Sequence, residues 1–143
     1  SPPFQGKPTF IRDLGRNCAE NLSLNVLYID ERNEFAIDSA ELGNTYDVIK
    51  YADKAFGFGC AVRTLNPDVV ICDELTYKID FLSVVYCGVS GVKVIASTHC
   101  DSIDDLRKIL INYEIMQRFT FYVFVKLKNF EVVGVYDREL KKI

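Results

Sequence analysis

The stretch Asn66–Glu74, Asn-Pro-Asp-Val-Val-Ile-Cys-Asp-Glu, constrains this chain more than any other. A turn signal, Asn-Pro-Asp, opens it, and the apolar run Val69 to Cys72 follows, rich in β-branched residues. A continuous apolar run of this kind reads as a strand buried on both faces, the habit of parallel sheets covered by helices. The run ends in Asp73-Glu74. Open α/β sheets bind ligands outside the carboxyl ends of their strands. An Asp there can organise Mg²⁺ and an adjacent Glu can polarise an attacking water, which is the pair that a nucleoside triphosphatase needs. Apolar-then-acidic also describes any strand that ends at the surface, so the rest of the chain has to decide.

With 143 residues the chain fits a single domain large enough for a real core. A net charge of -3 gives no dominant electrostatic grip on nucleic acid or anionic lipid, and no nucleic-acid partner is expected. No apolar run reaches the length of a membrane span and no secretory signal is visible, so a cytoplasmic location is expected. Cys18, Cys60, Cys72, Cys87 and Cys100 are scattered, lack CxxC spacing and read as free thiols. The chain opens on Ser-Pro-Pro, without Met and without a preceding strand. It reads as a fragment or the second half of a longer protein.

Ser1–Lys7, Ser-Pro-Pro-Phe-Gln-Gly-Lys, lies close to the phosphate-cradling pattern G-x-x-x-x-G-K-[ST]. Ser1 stands at the first Gly position, Gly6-Lys7 match, and Pro8 stands where the hydroxyl residue belongs. In such a loop successive N–H groups and a helix N-terminus bind phosphate oxygens, the lysine reaches the β/γ-phosphates, and the hydroxyl ligates Mg²⁺. Pro8 removes one N–H and one hydroxyl, although proline is well tolerated in a first helical turn. Thr9 carries a hydroxyl one residue late. Phe10, Ile11, Leu14 and Cys18 then predict a helix over 10–18.

Three further features fall at strand or helix ends. Asn25–Asp30 is a second apolar strand that ends in acid and runs into the cluster Asp30-Glu31-Arg32-Asn33-Glu34. Val92–Ser97 predicts a third buried strand, ending in Thr98-His99, the one histidine of the chain. Ser102 is a candidate N-cap for a helix to Leu110, with Asp104-Asp105 in its first turn. Ile79–Val89 predicts a helix that buries Ile79, Leu82, Val85 and Tyr86. The region 36–59 is harder to read: Leu42-Gly43-Asn44 suggests a turn, Val48, Ile49, Ala52, Ala55 and Phe56 permit a helix, and Gly57 and Gly59 weaken it. Residues 60–65, with Arg63, read as a short helix or turn. Thr120–Leu127 and Glu131–Tyr136 predict a hairpin joined at Lys128-Asn129-Phe130, and the charged tail 137–143 is expected to fray. Alternating helices and strands, then a hairpin, predict an α/β layered domain with a mostly parallel central sheet.

Taken together, these segments resemble the ATPase domain of the stage III sporulation protein AA family, which is similar to type II/IV secretion and pilus-retraction ATPases of RecA-like P-loop fold. SPPFQGKPTFIRDL resembles the family's phosphate loop and following helix, YIDERNEFA its acidic box, RTLNPDVVICDEL its Asp-Glu strand, and GVKVIASTHCDSIDDL its histidine box. The resemblance covers almost the whole chain and implies one ATPase domain over 1–143, with the first strand of the fold missing. It implies ATP and Mg²⁺ as ligands: Gly6 and Lys7 at the phosphates with Thr9 near them, and Asp73 at the metal. Glu74 and Glu34 would position or activate water, with Glu31 close by, and His99 would contact the γ-phosphate. Arg63 or Arg32 would neutralise phosphate charge within a subunit or across an interface. It further implies a homo-oligomeric ring, channel proteins of the sporulation complex as partners, and a place in the cytoplasm or at the inner membrane face.

Two readings follow. One is a Mg-dependent ATP hydrolase that powers or assembles a secretion-like complex between mother cell and forespore, favoured by Lys7, Asp73, Glu74 and His99. The other is a degenerate P-loop-fold module that binds partners with little or no turnover, favoured by Ser1 and Pro8.

Overall fold

The computed structural model describes residues 1–35, 37, 46–115 and 123–143. Among them the order is α1 (Lys7–Glu20), β1 (Val26–Asp30), β2 (Tyr46–Lys50), α2 (Lys54–Cys60), β3 (Val69–Glu74), α3 (Lys78–Val89), β4 (Lys93–Ser97), α4 (Ile103–Asn112), β5 (Phe124–Lys128) and β6 (Glu131–Tyr136). The first four strands form a parallel sheet in the order β2-β1-β3-β4, and β5 and β6 form an antiparallel hairpin. The expected α/β class with a mostly parallel sheet and a terminal hairpin is what the structure has.

Period-two alternation explains how the central strands are buried twice over. Leu27, Ile29, Val70 and Cys72 face one side and pack with Phe58, Phe81, Cys87, Leu106 and Leu110, from α2, α3 and α4. Val26, Tyr28, Val69 and Ile71 face the other side, where Ile11, Cys18 and Ala19 of α1 cover them. β1 and β3 are therefore apolar throughout until their last residues. The five cysteines are free thiols, as expected; burial pushes the Cys87 thiol up to about 11.

Helix α1 starts at Lys7, directly on Gly6, and runs longer at both ends than the 10–18 stripe suggests. Gly6 takes φ +84 and its carbonyl accepts the Phe10 N–H at 2.9 Å. Pro8 lies in the first turn, where a missing N–H leaves no helical bond unmade.

Several expectations are corrected. Val48 and Ile49 lie in β2, not in a helix; the Tyr-Asp-Val-Ile-Lys run is half-buried beside β1, and β-branched residues suit that pleated surface. The helix of this region begins only at Lys54, where Asp53 caps it by accepting the Phe56 N–H at 2.8 Å. Leu42-Gly43-Asn44 lies outside the described residues. In α3 the buried residues are Asp80, Phe81 and Cys87, while Ile79 and Tyr86 are exposed. That helix is apolar on most sides, so its spacing does not select a face; the Tyr77–Asp80 capping box and Phe81 packing on Tyr113 do. β4 is half-buried, because among the described strands it pairs on one edge only. The tail does not fray: Leu140 is buried, the Asp137 N–H donates to Lys141 O, and the Ile143 N–H donates to Val135 O.

Close packing of α1 on the sheet rests on Gly15. A Cβ there would lie 2.4 Å from Tyr28 Oη and 2.8 Å from Ile71 Cγ1. Gly59 in α2 has nothing within 4 Å of such a carbon. Gly15→Ala is expected to destabilise the fold by about 1–3 kcal/mol through overpacking. Gly59→Ala is expected to be neutral or to stabilise by up to about 1 kcal/mol through helix propensity. Urea unfolding of the two variants checks the contrast.

Candidate nucleotide site

Parallel strands end on one rim, and the sequence motifs gather there. β1 delivers Asp30 and Glu31, β3 delivers Asp73 and Glu74, and β4 leads to Thr98 and His99. The Ser1–Lys7 loop reaches the same rim. The Ser1 amino group donates to Thr98 O at 3.4 Å, and the Cys100 N–H donates to Ser1 O at 3.4 Å. Ser1 thus sits alongside His99 in the alternation of a parallel ladder.

Lys7 is only 7% exposed. Its ammonium donates to the carbonyls of Ser1 at 3.0 Å and Pro2 at 2.6 Å, so the loop closes on its own lysine. Burial lowers the Lys7 pKa, and the charges of Glu74, Cys100 and Glu34 oppose that. Glu74 is half-buried and meets His99 Nδ1 at 3.3 Å. Burial and the Lys7 charge lower the His99 pKa, against the opposing charge of Glu74. Arg32 lies 3.8 Å from Glu74 and 4.0 Å from Glu34, which ties the acidic cluster to the same cleft.

Asp30 serves the loop rather than the cleft. It is fully buried and accepts the N–H groups of Glu34, at 2.7 Å, and Phe35, at 3.3 Å. Those two bonds fold the chain back after β1 and set where Glu31 and Glu34 point. Thr9 is exposed on the first turn of α1. Arg63 is exposed on the π-helical turn Ala61–Leu65, ahead of β3, and lines a groove with Ala55, Phe58, Gly59, Ile79, Leu82 and Tyr86. Its turn precedes β3 in the chain, whereas Asp73 and Glu74 end that strand.

Lys54 was not singled out by any motif, yet it lies at the centre of the acidic rim. Its side chain is 9% exposed, pairs with Asp73 Oδ1 at 3.3 Å and makes a close ion pair with Glu31. Burial works to lower its pKa, but the Glu31 hydrogen bond and the Asp73 charge outweigh burial and raise it. The signal was available: Lys54 opens the helix that follows a strand, so reading 46–50 as a strand places it on this rim.

Asp73 is 2% exposed, and its Oδ2 is buried without a hydrogen-bond partner among the described residues. A buried anionic oxygen left in this state fits a divalent cation or one of its waters. Among the described residues no group of three or more His, Cys, Asp or Glu side chains forms a metal cage. Asp73 is therefore the protein group that would hold Mg²⁺, with phosphate oxygens and water completing the shell, since Pro8 offers no hydroxyl.

A sequence profile of the family described as "Sporulation stage III, protein AA" matches residues 1–143. The chain belongs to the sporulation stage III protein AA family. It is 34% identical over 116 residues to the stage III sporulation protein AA of Bacillus subtilis (strain 168), a match over 75% of this chain. Its fold is similar to that of the Legionella pneumophila ATPase DotB, with a TM-score of 0.66 over 88% of this chain at 16% identity. This family member spans 38% of the length of the Bacillus relative and 39% of the DotB chain. The family that the sequence resembles is thus shown, and the fold is similar to that of the ATPase DotB.

Two measurements test the electrostatics of the rim. Lys54→Met is expected to cost about 3 kcal/mol in urea unfolding, because it leaves Asp73 buried with an unpaired charge; adding Asp73→Asn should recover most of that loss. In an NMR titration the single histidine is expected to titrate below its ordinary value of about 6.5. Glu74→Gln removes a raising influence and should lower the value further, whereas Lys7→Met removes a lowering influence and should raise it.

Proposed function

We propose that this chain binds Mg·ATP at the carboxyl rim of β1, β3 and β4 and hydrolyses it. The observation that carries the reading is the meeting of Glu74 with His99, beside the buried Lys7 and the Oδ2 of Asp73, unpartnered among the described residues. Those are the parts that phosphoryl transfer to water requires: a cation for the phosphates, a metal-organising carboxylate, and a carboxylate to orient the nucleophile. Mg²⁺, when bound, supplies charge neutralisation on the β- and γ-phosphate oxygens.

The chain's own groups divide the remaining work. Lys7 releases the Ser1 and Pro2 carbonyls and donates to phosphate oxygens, while the N-terminus of α1 presents its N–H groups. Glu74 accepts a proton from the attacking water, and His99, whose Nδ1 lies 3.3 Å from Glu74 Oε1, orients that carboxylate. Glu34 and Arg32 close the cleft beside Glu74. Arg63, exposed on the turn ahead of β3, is assigned in this reading to a neighbouring subunit's nucleotide in a homo-oligomeric ring. In this reading the ring sits in the cytoplasm or at the inner membrane face and serves channel proteins of a sporulation complex. Among the described residues no helix is long and apolar enough to cross a membrane.

A second reading has its own support. Lys54 already pairs with Asp73 Oδ1, and Pro8 replaces the metal-ligating hydroxyl. On that reading the nucleotide fold serves partner binding with little or no turnover.

Steady-state ATP turnover with Mg²⁺ separates them. Glu74→Gln is expected to lower the rate about 100-fold while keeping ATP bound, in line with loss of a general base. Lys7→Ala is expected to abolish binding as well. Equal background rates in wild type and both variants would remove hydrolysis from the function and leave the module reading.

A further inference from the structure

The turn of the β5–β6 hairpin lies on the phosphate loop. The Asn129 N–H donates to Gln5 Oε1 at 2.8 Å. The ring of Phe130 rests against Gly6: a Cβ on that glycine would stand 2.5 Å from Phe130 Cδ1. Asn129 takes φ 51 and Phe130 φ 65. Two successive positive φ values are those of a type I′ turn, whose preferred pair is Asn-Gly. Asn129 fits the first position. Phenylalanine at the second is strained, because a bulky L-residue meets its own backbone in the left-handed region.

Burial does not offset that strain, since Phe130 is 75% exposed. A strained residue that contributes so little to the core points to a role outside folding. Its ring is held where a ligand anchored in the loop would carry its next chemical group. Phosphates at Lys7 and the start of α1 leave the sugar and base of a nucleotide to extend beside the loop. A flat π-face next to Gly6 suits the base.

We propose that Phe130 is the platform on which the base of the bound nucleoside triphosphate stacks, with Gln5 and Asn129 locking the hairpin turn to the loop. This deepens the nucleotide reading above and rests on it. The hairpin thus takes part in the site, and discrimination between a nucleotide and bare polyphosphate resides in Phe130.

The test compares ATPγS with inorganic tripolyphosphate, each with Mg²⁺, by calorimetry on the full chain. Wild type is expected to bind ATPγS about 10-fold or more tightly than tripolyphosphate, the size of one base–aromatic stack. Phe130→Gly is expected to erase that preference and leave tripolyphosphate binding unchanged. Asn-Gly is the turn's preferred pair, so Phe130→Gly should keep or raise the Tm, which separates lost stacking from lost folding. Phe130→Trp should retain the preference. Four results overturn the proposal. Tighter ATPγS binding in Phe130→Gly would make the ring an obstacle. An equal loss for both ligands would make it a brace for the loop. A preference lost in Phe4→Gly but kept in Phe130→Gly would move the platform to Phe4, the exposed aromatic of the loop itself. A wild type that binds tripolyphosphate through Lys7 but shows no preference for ATPγS would leave the phosphate site and remove the platform. If wild type bound neither ligand, the nucleotide reading itself would fall.

Discussion

Parallel hydrogen bonding between β1, β3 and β4 is the constraint on which everything at the rim depends. Ile29 pairs with Cys72, and Cys72 with Ala96. Strands in this register must all finish at the same level. Acidic and polar residues placed at their ends then converge without any long-range instruction beyond the apolar runs that bury the strands. The register between β3 and β4 shifts between Cys72 and Glu74, so that Glu74 aligns with Ser97. That irregularity falls where the Glu74 side chain has to reach His99.

Convergence of carboxylates creates its own difficulty, since like charges at a half-buried rim repel. The chain resolves it from within. Lys54 neutralises Asp73 and Glu31, Arg32 lies between Glu74 and Glu34, and Asp30 turns away to bind backbone N–H groups. Arg32 and Lys54, cations from two different segments, hold the carboxylates of the cleft together. Its stability therefore depends on α2 as much as on the strands, although α2 carries none of the recognised motifs.

Legibility from sequence followed the strength of local patterns. β1 and β3 were readable because double burial leaves an uninterrupted apolar run, and the turn at Asn66-Pro67 marks the approach to β3. The placement of Lys7, Glu74 and His99 followed from strand ends and from family resemblance. β2 was not readable, because a half-buried edge strand of five residues looks like part of a helix when Ala52, Ala55 and Phe56 continue the apolar spacing. That single misreading also hid Lys54, whose place on the rim is visible only once β2 is a strand. In α3 the apolar residues surround the helix, so which of them turn inward is decided by packing on Tyr113 and the sheet. Gly57 looks like a helix breaker in sequence, but it is small because a Cβ would come within 2.7 Å of Ile29.

The Ser1 and Pro2 carbonyls around Lys7 have a consequence for how such a loop answers its ligand. The lysine is already solvated by oxygen, so on the proposed nucleotide reading entry of a phosphate is an exchange of one oxygen shell for another. The closed loop also competes with every incoming ligand, and apparent affinity is reduced by the fraction of molecules in which the lysine is self-bound. That fraction is the same for every ligand that needs the lysine, so on the proposed nucleotide reading the closed loop sets the threshold for occupancy and leaves discrimination to the side chains around it.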